Sequence, residues 1–233
     1  FPVYEKFCDM YYENGYTENL DKNWMNNSFA CSQRVKMDLF KKYGSIAAAG
    51  DRHLSEFCDG KWYLESPESV KKWGFGLTTV SWRKADLNER LRKSFEYRNG
   101  TKSVEIKNTG EEGVNQIRAI LGLTELVTNV NIPNLGQIPN LPLGAVVETN
   151  AVFRDDSVTP VYAGNIPERV YPLVAGICAE QEAVSDAIAD REIERVFAAF
   201  TLDPLVTCNM EDARRLFDEM VGNTKKYLSS YTL

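Results

Sequence analysis

Apolar and polar residues alternate with period two, the pattern of a half-buried strand, in only one short region of this chain. It covers 125–131, 145–154 and, more briefly, 158–163, all of it after Gly122. Apart from a small strand expected at Ser103–Ile106, the regular segments on either side have helical spacing. A chain with so few strands, set so close together, can build only one small and mostly antiparallel sheet. Its helices must pack around that sheet, which makes the expected fold α+β, a single domain over residues 1–233. No strand–helix–strand series and no Gly-x-Gly-x-x-Gly turn occurs, so no nucleotide-binding domain is expected in these residues.

The helical segments have clear ends. An aromatic-rich helix over 3–14 stops at Gly15, and 19–28 is polar and irregular. Cys31–Tyr43 places Val35, Leu39 and Phe40 on one face and ends at Gly44, a left-handed cap. Ser66-Pro67-Glu68 combines an N-cap, a first-turn proline and an acid at the positive end of the dipole, and that helix stops at Gly74. A charged helix is expected over Asp86–Asn99. Thr109 to Glu112 forms a capping box for a helix to Leu121, whose stripe of Val114, Ile117, Ile120 and Leu121 points to the core. Pro167–Leu202 is a long helix broken near Asp190, and Met210–Val221 follows Asn209 as N-cap. Between the first two long strands, Ile132–Leu143 carries Pro133, Pro139 and Pro142 with Asn134, Gln137 and Asn140, which makes it a loop of fixed shape.

Charge and cysteine usage narrow the function. The 27 basic residues are scattered among 33 acidic ones for a net charge of -6, so no cationic footprint for nucleic acid exists. The cysteines Cys8, Cys31, Cys58, Cys178 and Cys208 are odd in number and widely spaced, as reduced thiols of a cytoplasmic protein are. No apolar run reaches the roughly 18 residues a membrane helix needs, so no membrane partner is expected. Phe1-Pro2-Val3 resembles no signal peptide and lacks an initiator methionine, so the chain is expected to be a piece of a longer one.

Two polar clusters carry chemistry. The segment Ala47-Ala48-Ala49-Gly50-Asp51-Arg52-His53-Leu54-Ser55-Glu56 holds the only histidine of the chain. It joins an acceptor, a rigid five-donor fork and an imidazole; the alternative is a loop whose charges satisfy one another and a nearby helix end. Arg52 suits a planar carboxylate on a ligand, with Arg83 as second choice. The other cluster runs through Asn129, Asn131, Asn134 and Asn140 to Glu148 and Asn150. Amides donate and accept as sugar hydroxyls do, so Asn131, Asn134 and Asn150 are candidate substrate contacts; the alternative is that they end strands.

The runs YGSIAAAGDRHLSEF, WGFGLTTVSWRKADLNERL, NVNIPNLGQIPNLPLGAVVETNAVF and TPVYAGNIPERV resemble the C-terminal half of glycoside hydrolase family 4, in its α-galacturonidase and α-glucuronidase branch. The resemblance covers the whole chain. It implies a domain like the C-terminal one of lactate and malate dehydrogenases, joined to an N-terminal Rossmann domain, in an enzyme that forms homo-oligomers. It implies NAD and a divalent metal, usually manganese, and hydrolysis of an oligosaccharide of uronic acids. The sugar is oxidised at C3, loses its C2 proton, and the bond breaks by elimination before water adds back; the family is an exception to two-carboxylate hydrolysis. The metal-binding Cys-Asn and Asn-His motifs are expected upstream: Cys8 precedes Asp9, Cys31 precedes Ser32, and Cys208-Asn209 comes too late. The Gly50-Asp51 pair resembles the one that carries the base in α-specific members, which favours Asp51 as the C2 base; His53 is the alternative, as base or as orienter of Asp51. Two other readings stay open: a non-catalytic oligomerisation or sugar-binding module, and the substrate domain of a 2-hydroxy acid dehydrogenase.

Overall fold

The computed structural model describes residues 1–16, 31–106 and 110–231. These form two compact units. The first comprises Phe1–Gly76, Asn140–Ala145 and Asn165–Leu233, and the second Leu77–Pro139 with Val146–Gly164.

The first unit is helical. Its N-terminal part holds α1 (Pro2–Tyr11), α2 (Arg34–Tyr43), α3 (Asp51–Glu56), α4 (Gly60–Tyr63) and α5 (Pro67–Trp73). Helix α2 is central because it is buried on two sides. Val35 and Leu39 join Cys58, Tyr63, Val70 and Phe75, whereas Met37 and Phe40 pack with Cys8 of α1. The one face expected for Val35, Leu39 and Phe40 is therefore shared between two clusters. Asp38 lies between them, buried, and accepts hydrogen bonds from Tyr12 Oη at 2.7 Å and Tyr63 Oη at 2.6 Å and from Lys42. Burial pushes its carboxyl pKa up, but these three donors outweigh burial and hold it below the usual value.

Local capping chemistry sets the helix ends. Gly44 and Gly74 close α2 and α5 in the left-handed region, where a Cβ would be strained. Ser66 Oγ accepts the Ser69 N–H at 3.2 Å, and the Asn209 side chain caps the C-terminal helix by accepting from Asp212 N–H at 3.0 Å. The long C-terminal helix breaks where expected. Helix α8 (Tyr171–Asp190) stops as Arg191 turns left-handed, with φ 60°, before α9 (Ile193–Phe200), and α10 (Met210–Thr224) follows. No described helix is long and apolar enough to cross a membrane. The irregular stretch expected at 19–28 lies outside the described residues.

The second unit contains α6 (Val80–Arg98), α7 (Gly113–Ile120) and a three-stranded antiparallel sheet in the order β1-β2-β3. The strands are β1 (Leu126–Pro133), β2 (Val146–Arg154) and β3 (Ser157–Pro160), so the α+β class is as expected. Thr128, Val130 and Ile132 of β1 share a face with Val147, Thr149, Ala151 and Phe153 of β2, and Ala119 of α7 is buried against Ala151 and Phe153.

Three expectations change. Ser103–Ile106 forms no strand, since no described strand pairs with it. Helix α6 begins at Val80 rather than Asp86, because Thr79 Oγ1 accepts the Trp82 N–H at 3.2 Å and caps an earlier start. In α7 the stripe read as core is exposed at Val114, Ile117 and Leu121, whereas Ile120 of that stripe packs, half-buried, against the cluster that the small Ala119 forms with the sheet. Thr109, the first residue of the expected capping box, lies outside the described residues.

Candidate functional site

Helix α3 carries the His53 segment, and the structure divides its side chains between two directions. Asp51 turns inward. It is 0% exposed, and its Oδ1 accepts the Lys36 backbone N–H at 3.1 Å. The backbone N–H groups of Arg34 and Val35 also bond to it, so the carboxylate sits on the first turn of α2, where a helix has unpaired donors and a positive dipole end. Its Oδ2 is buried and finds no partner among the described residues. Burial pushes the carboxyl pKa up to about 6, against the pull of the Lys36, Val35 and Arg34 N–H groups and the Lys36 charge.

Arg52, His53 and Glu56 form the second group. His53 Nδ1 lies 3.0 Å from Glu56 Oε2, and the imidazole is more than half exposed. An Nδ1–H donating to Glu56 leaves the Nε2 lone pair free to accept, and Arg52 Nη2 stands 3.4 Å from Nε2. Arg52 itself is half-buried. Ser55, fully buried, donates from Oγ to the Arg52 carbonyl at 2.7 Å and fixes the turn that carries both side chains. Glu56 was not among the residues singled out as catalytic. Its signal was the three-residue spacing from His53, which puts two helical side chains side by side.

The asparagines of the second unit also divide. Asn129 pairs with Asn150 and Asn131 with Glu148 in the β1–β2 register, and all four side chains are exposed on the sheet face opposite α7. They make a compact polar patch of three amides and one carboxylate. Asn134, by contrast, is fully buried. Its Oδ1 accepts the N–H groups of Gly136 at 3.2 Å and Ile138 at 3.1 Å, and its Nδ2 donates to the Ile138 carbonyl at 3.0 Å. The structure thus commits its amide to the shape of the 134–138 loop rather than to a ligand. In the first unit Asn140 is committed in the same way, bonding the N–H and carbonyl of Ile166 at 2.9 Å each.

Residues 2–206 match the model of the family 4 glycosyl hydrolase C-terminal domain. The chain belongs to the family 4 glycosyl hydrolases. An alpha-galacturonidase of Thermoanaerobacterium saccharolyticum is 53% identical over 99% of this chain and 50% of its own length. The crystal structure of the Bacillus subtilis protein LplD, described as a glucosidase, superposes with a TM-score of 0.85 at 44% identity, over 94% of this chain and 49% of that one. A 6-phospho-alpha-glucosidase from gut microorganisms, solved with NAD and Mn2+, shares the fold at 19% identity and a TM-score of 0.62, over 96% of this chain and 49% of that one. The family 4 chain therefore sits in the galacturonidase branch and spans about half the length of its relatives. Family membership sets aside the 2-hydroxy acid dehydrogenase alternative. Family 4 relatives solved with a metal raise the question of a metal here. Among the described residues no group of three or more His, Cys, Asp and Glu side chains could hold a metal ion, so these residues do not by themselves fit one.

Proposed function

We propose that this chain is the substrate half of an α-glycosidase that hydrolyses galacturonides or glucuronides, with residues 1–233 serving as one substrate domain. The observation that carries the reading is the 53% identity to an alpha-galacturonidase, which runs through the chain from end to end. The partners are an oligosaccharide of uronic acids, the enzyme's own N-terminal Rossmann half and further copies of the enzyme, in the cytoplasm. NAD and the divalent metal, manganese in the family pattern, belong to that N-terminal half; oxidation at C3 is its task, whereas holding the sugar and taking the C2 proton are tasks of this chain.

Within α3 the geometry favours His53 as the base. A base must come within hydrogen-bond reach of the proton it removes. His53 is open to a ligand, and Glu56 at 3.0 Å holds its ring and stabilises the imidazolium once a proton arrives. Arg52, alongside, has the planar fork for the uronate carboxylate. In the second unit, taken by itself, the exposed Asn131 and Asn150 have the amides to bond sugar hydroxyls. Asp51 then acts at one remove, fixing the start of α3 to α2. The reading with Asp51 as base keeps one observation in its favour: a buried carboxyl titrating at about 6, whose Oδ2 has no partner among the described residues, has the basicity that proton removal at neutral pH requires.

Exchange of the substrate C2 hydrogen with deuterated solvent decides between them, measured on full-length Asp51→Asn and His53→Asn enzymes. The expected result is exchange that persists in Asp51→Asn and stops in His53→Asn. Loss of exchange only in Asp51→Asn, with the fold intact by circular dichroism, returns the role to Asp51. No exchange and no hydrolysis of any uronide by the parent enzyme refutes the function itself.

A further inference from the structure

Among the described residues three buried side-chain oxygens find no hydrogen-bond partner: Tyr4 Oη, Asp51 Oδ2 and Thr149 Oγ1. Thr149 lies on β2 in the second unit, whereas Tyr4 of α1 and Asp51 of α3 both belong to the first. Buried polar atoms are nearly always paired, so two orphans in one neighbourhood point to something that serves both.

Helix α2 brings them together. The Lys36 N–H holds Asp51 Oδ1 at 3.1 Å, and the next residue, Met37, packs in the cluster that takes the Tyr4 ring. That ring is clamped, stacked with Phe7 at 5.6 Å and edge-on to Phe40 at 4.8 Å between centroids. Its hydroxyl is therefore fixed in place, as the Asp51 carboxylate is on the first turn of α2. The Asp51 charge reaches the phenol: burial first, then Cys8 and Asp51, push the Tyr4 pKa up to about 12. Tyr4 thus keeps its proton at neutral pH and has an O–H to donate, while an ionised Asp51 Oδ2 can only accept. The two groups are complementary, yet they make no direct bond. Cys8, 1% exposed, follows Tyr4 by one turn of α1 and adds a weak sulfur acceptor on the same side of that helix. One donor and two acceptors around a gap are the partners of a buried water, which makes about three hydrogen bonds.

We propose that Tyr4 Oη, Asp51 Oδ2 and Cys8 Sγ line a buried site for one water molecule between α1 and α3, and that Tyr4, acting through this water, positions the Asp51 carboxylate. The Tyr4 O–H donates to the water, and the water donates to Asp51 Oδ2 and to Cys8 Sγ. Helix α1 thereby supports the start of α3, the helix that carries Arg52, His53 and Glu56. The site does not rest on the sugar chemistry proposed above, and neither measurement below uses a substrate.

Infrared titration of the full-length enzyme, made with isotope-labelled aspartate and referenced to Asp51→Asn, reads the Asp51 carboxyl directly. The parent midpoint should lie at about 6. Tyr4→Phe keeps the ring contacts but removes the donor, so the ionised carboxylate loses support and the midpoint should rise by about one unit, about a tenfold change in the ionisation equilibrium. The other groups that face the carboxyl, Lys36 on α2 and Cys8 on α1, are the same in both proteins. A role for Tyr4 in packing alone would not move the midpoint, and an unchanged midpoint in a variant with the parent circular dichroism spectrum overturns the proposal. A crystal structure of the full-length enzyme is the second measurement, and it should hold one ordered water within about 3.2 Å of both Tyr4 Oη and Asp51 Oδ2. A protein side chain between the two oxygens, or a separate partner for each, overturns the site even if Tyr4→Phe does not fold.

Discussion

Replacing Asp51 with asparagine should free the fold from a pH dependence that one buried carboxyl imposes. The Asp51 pKa stands at about 6 in the folded chain against an ordinary 3.8. That rise of roughly two units corresponds to about 3 kcal/mol, at about 1.4 kcal/mol per unit. Because the folded value is the higher, the folded state binds the extra proton. The stability this confers is complete below pH 3.8 and disappears as pH rises through about 6. Asparagine keeps an oxygen for the Lys36 N–H but never ionises. It does place an N–H group where Oδ2 finds no partner among the described residues, at a cost of about 1–3 kcal/mol that is the same at every pH. The stability of the variant relative to the parent should therefore increase by about 3 kcal/mol between about pH 3.5 and about pH 7.5. Asp38 and Glu180 also titrate away from their ordinary values, but both proteins retain them and their effects cancel in the difference. Urea unfolding of parent and variant at the two pH values gives that difference directly. A variant whose stability relative to the parent is the same at both would refute the reasoning, since it would mean that Asp51 is ionised in the folded chain without penalty.

Tyr63→Phe removes the 2.6 Å donor to buried Asp38, and because Tyr12 and Lys42 still hold that carboxylate, the loss should be about 2 kcal/mol, read as a lower urea midpoint at constant slope. Asn134→Ala deletes the side chain that bonds Gly136 and Ile138 in the 134–138 loop and should cost about 2–3 kcal/mol by thermal unfolding, leaving two buried backbone groups of Ile138 short of a partner.

The parts of the fold legible in the sequence were those decided within a few residues. Ser66, Asn209, Gly44 and Gly74 end helices through bonds and backbone angles that their immediate neighbours complete, and each performs the role its chemistry suggested. The strands likewise announced themselves by alternation. Less legible was what each face meets. The stripe of α7 is real as periodicity, but the sheet cluster takes Ala119 with Ile120 and leaves Val114, Ile117 and Leu121 exposed. The Ser103–Ile106 run has strand-like residues and no described neighbour to pair with. The site shows the same limit. Sequence placed Asp51, Arg52 and His53 together, and helical spacing did bring His53 to Glu56, but nothing local indicated that the first turn of α2, fifteen residues earlier, would claim the Asp51 carboxylate. Asn134 read as a donor for hydroxyls because its type allows it, and only the closed loop shows that backbone groups hold it first.

The path of the chain through its two units has a consequence for how such a protein can be made and altered. The polypeptide passes between them four times, so neither unit is a continuous stretch that could be cut out, exchanged or duplicated as a module. A ribosome finishes the sheet-bearing unit at Gly164, while residues 1–76, already emerged, still lack the α8–α10 segments that belong to their unit. A premature stop between Gly164 and α8 therefore leaves one unit whole and the unit that carries α3 open. An insertion or deletion that removes one unit as a block cuts the other as well.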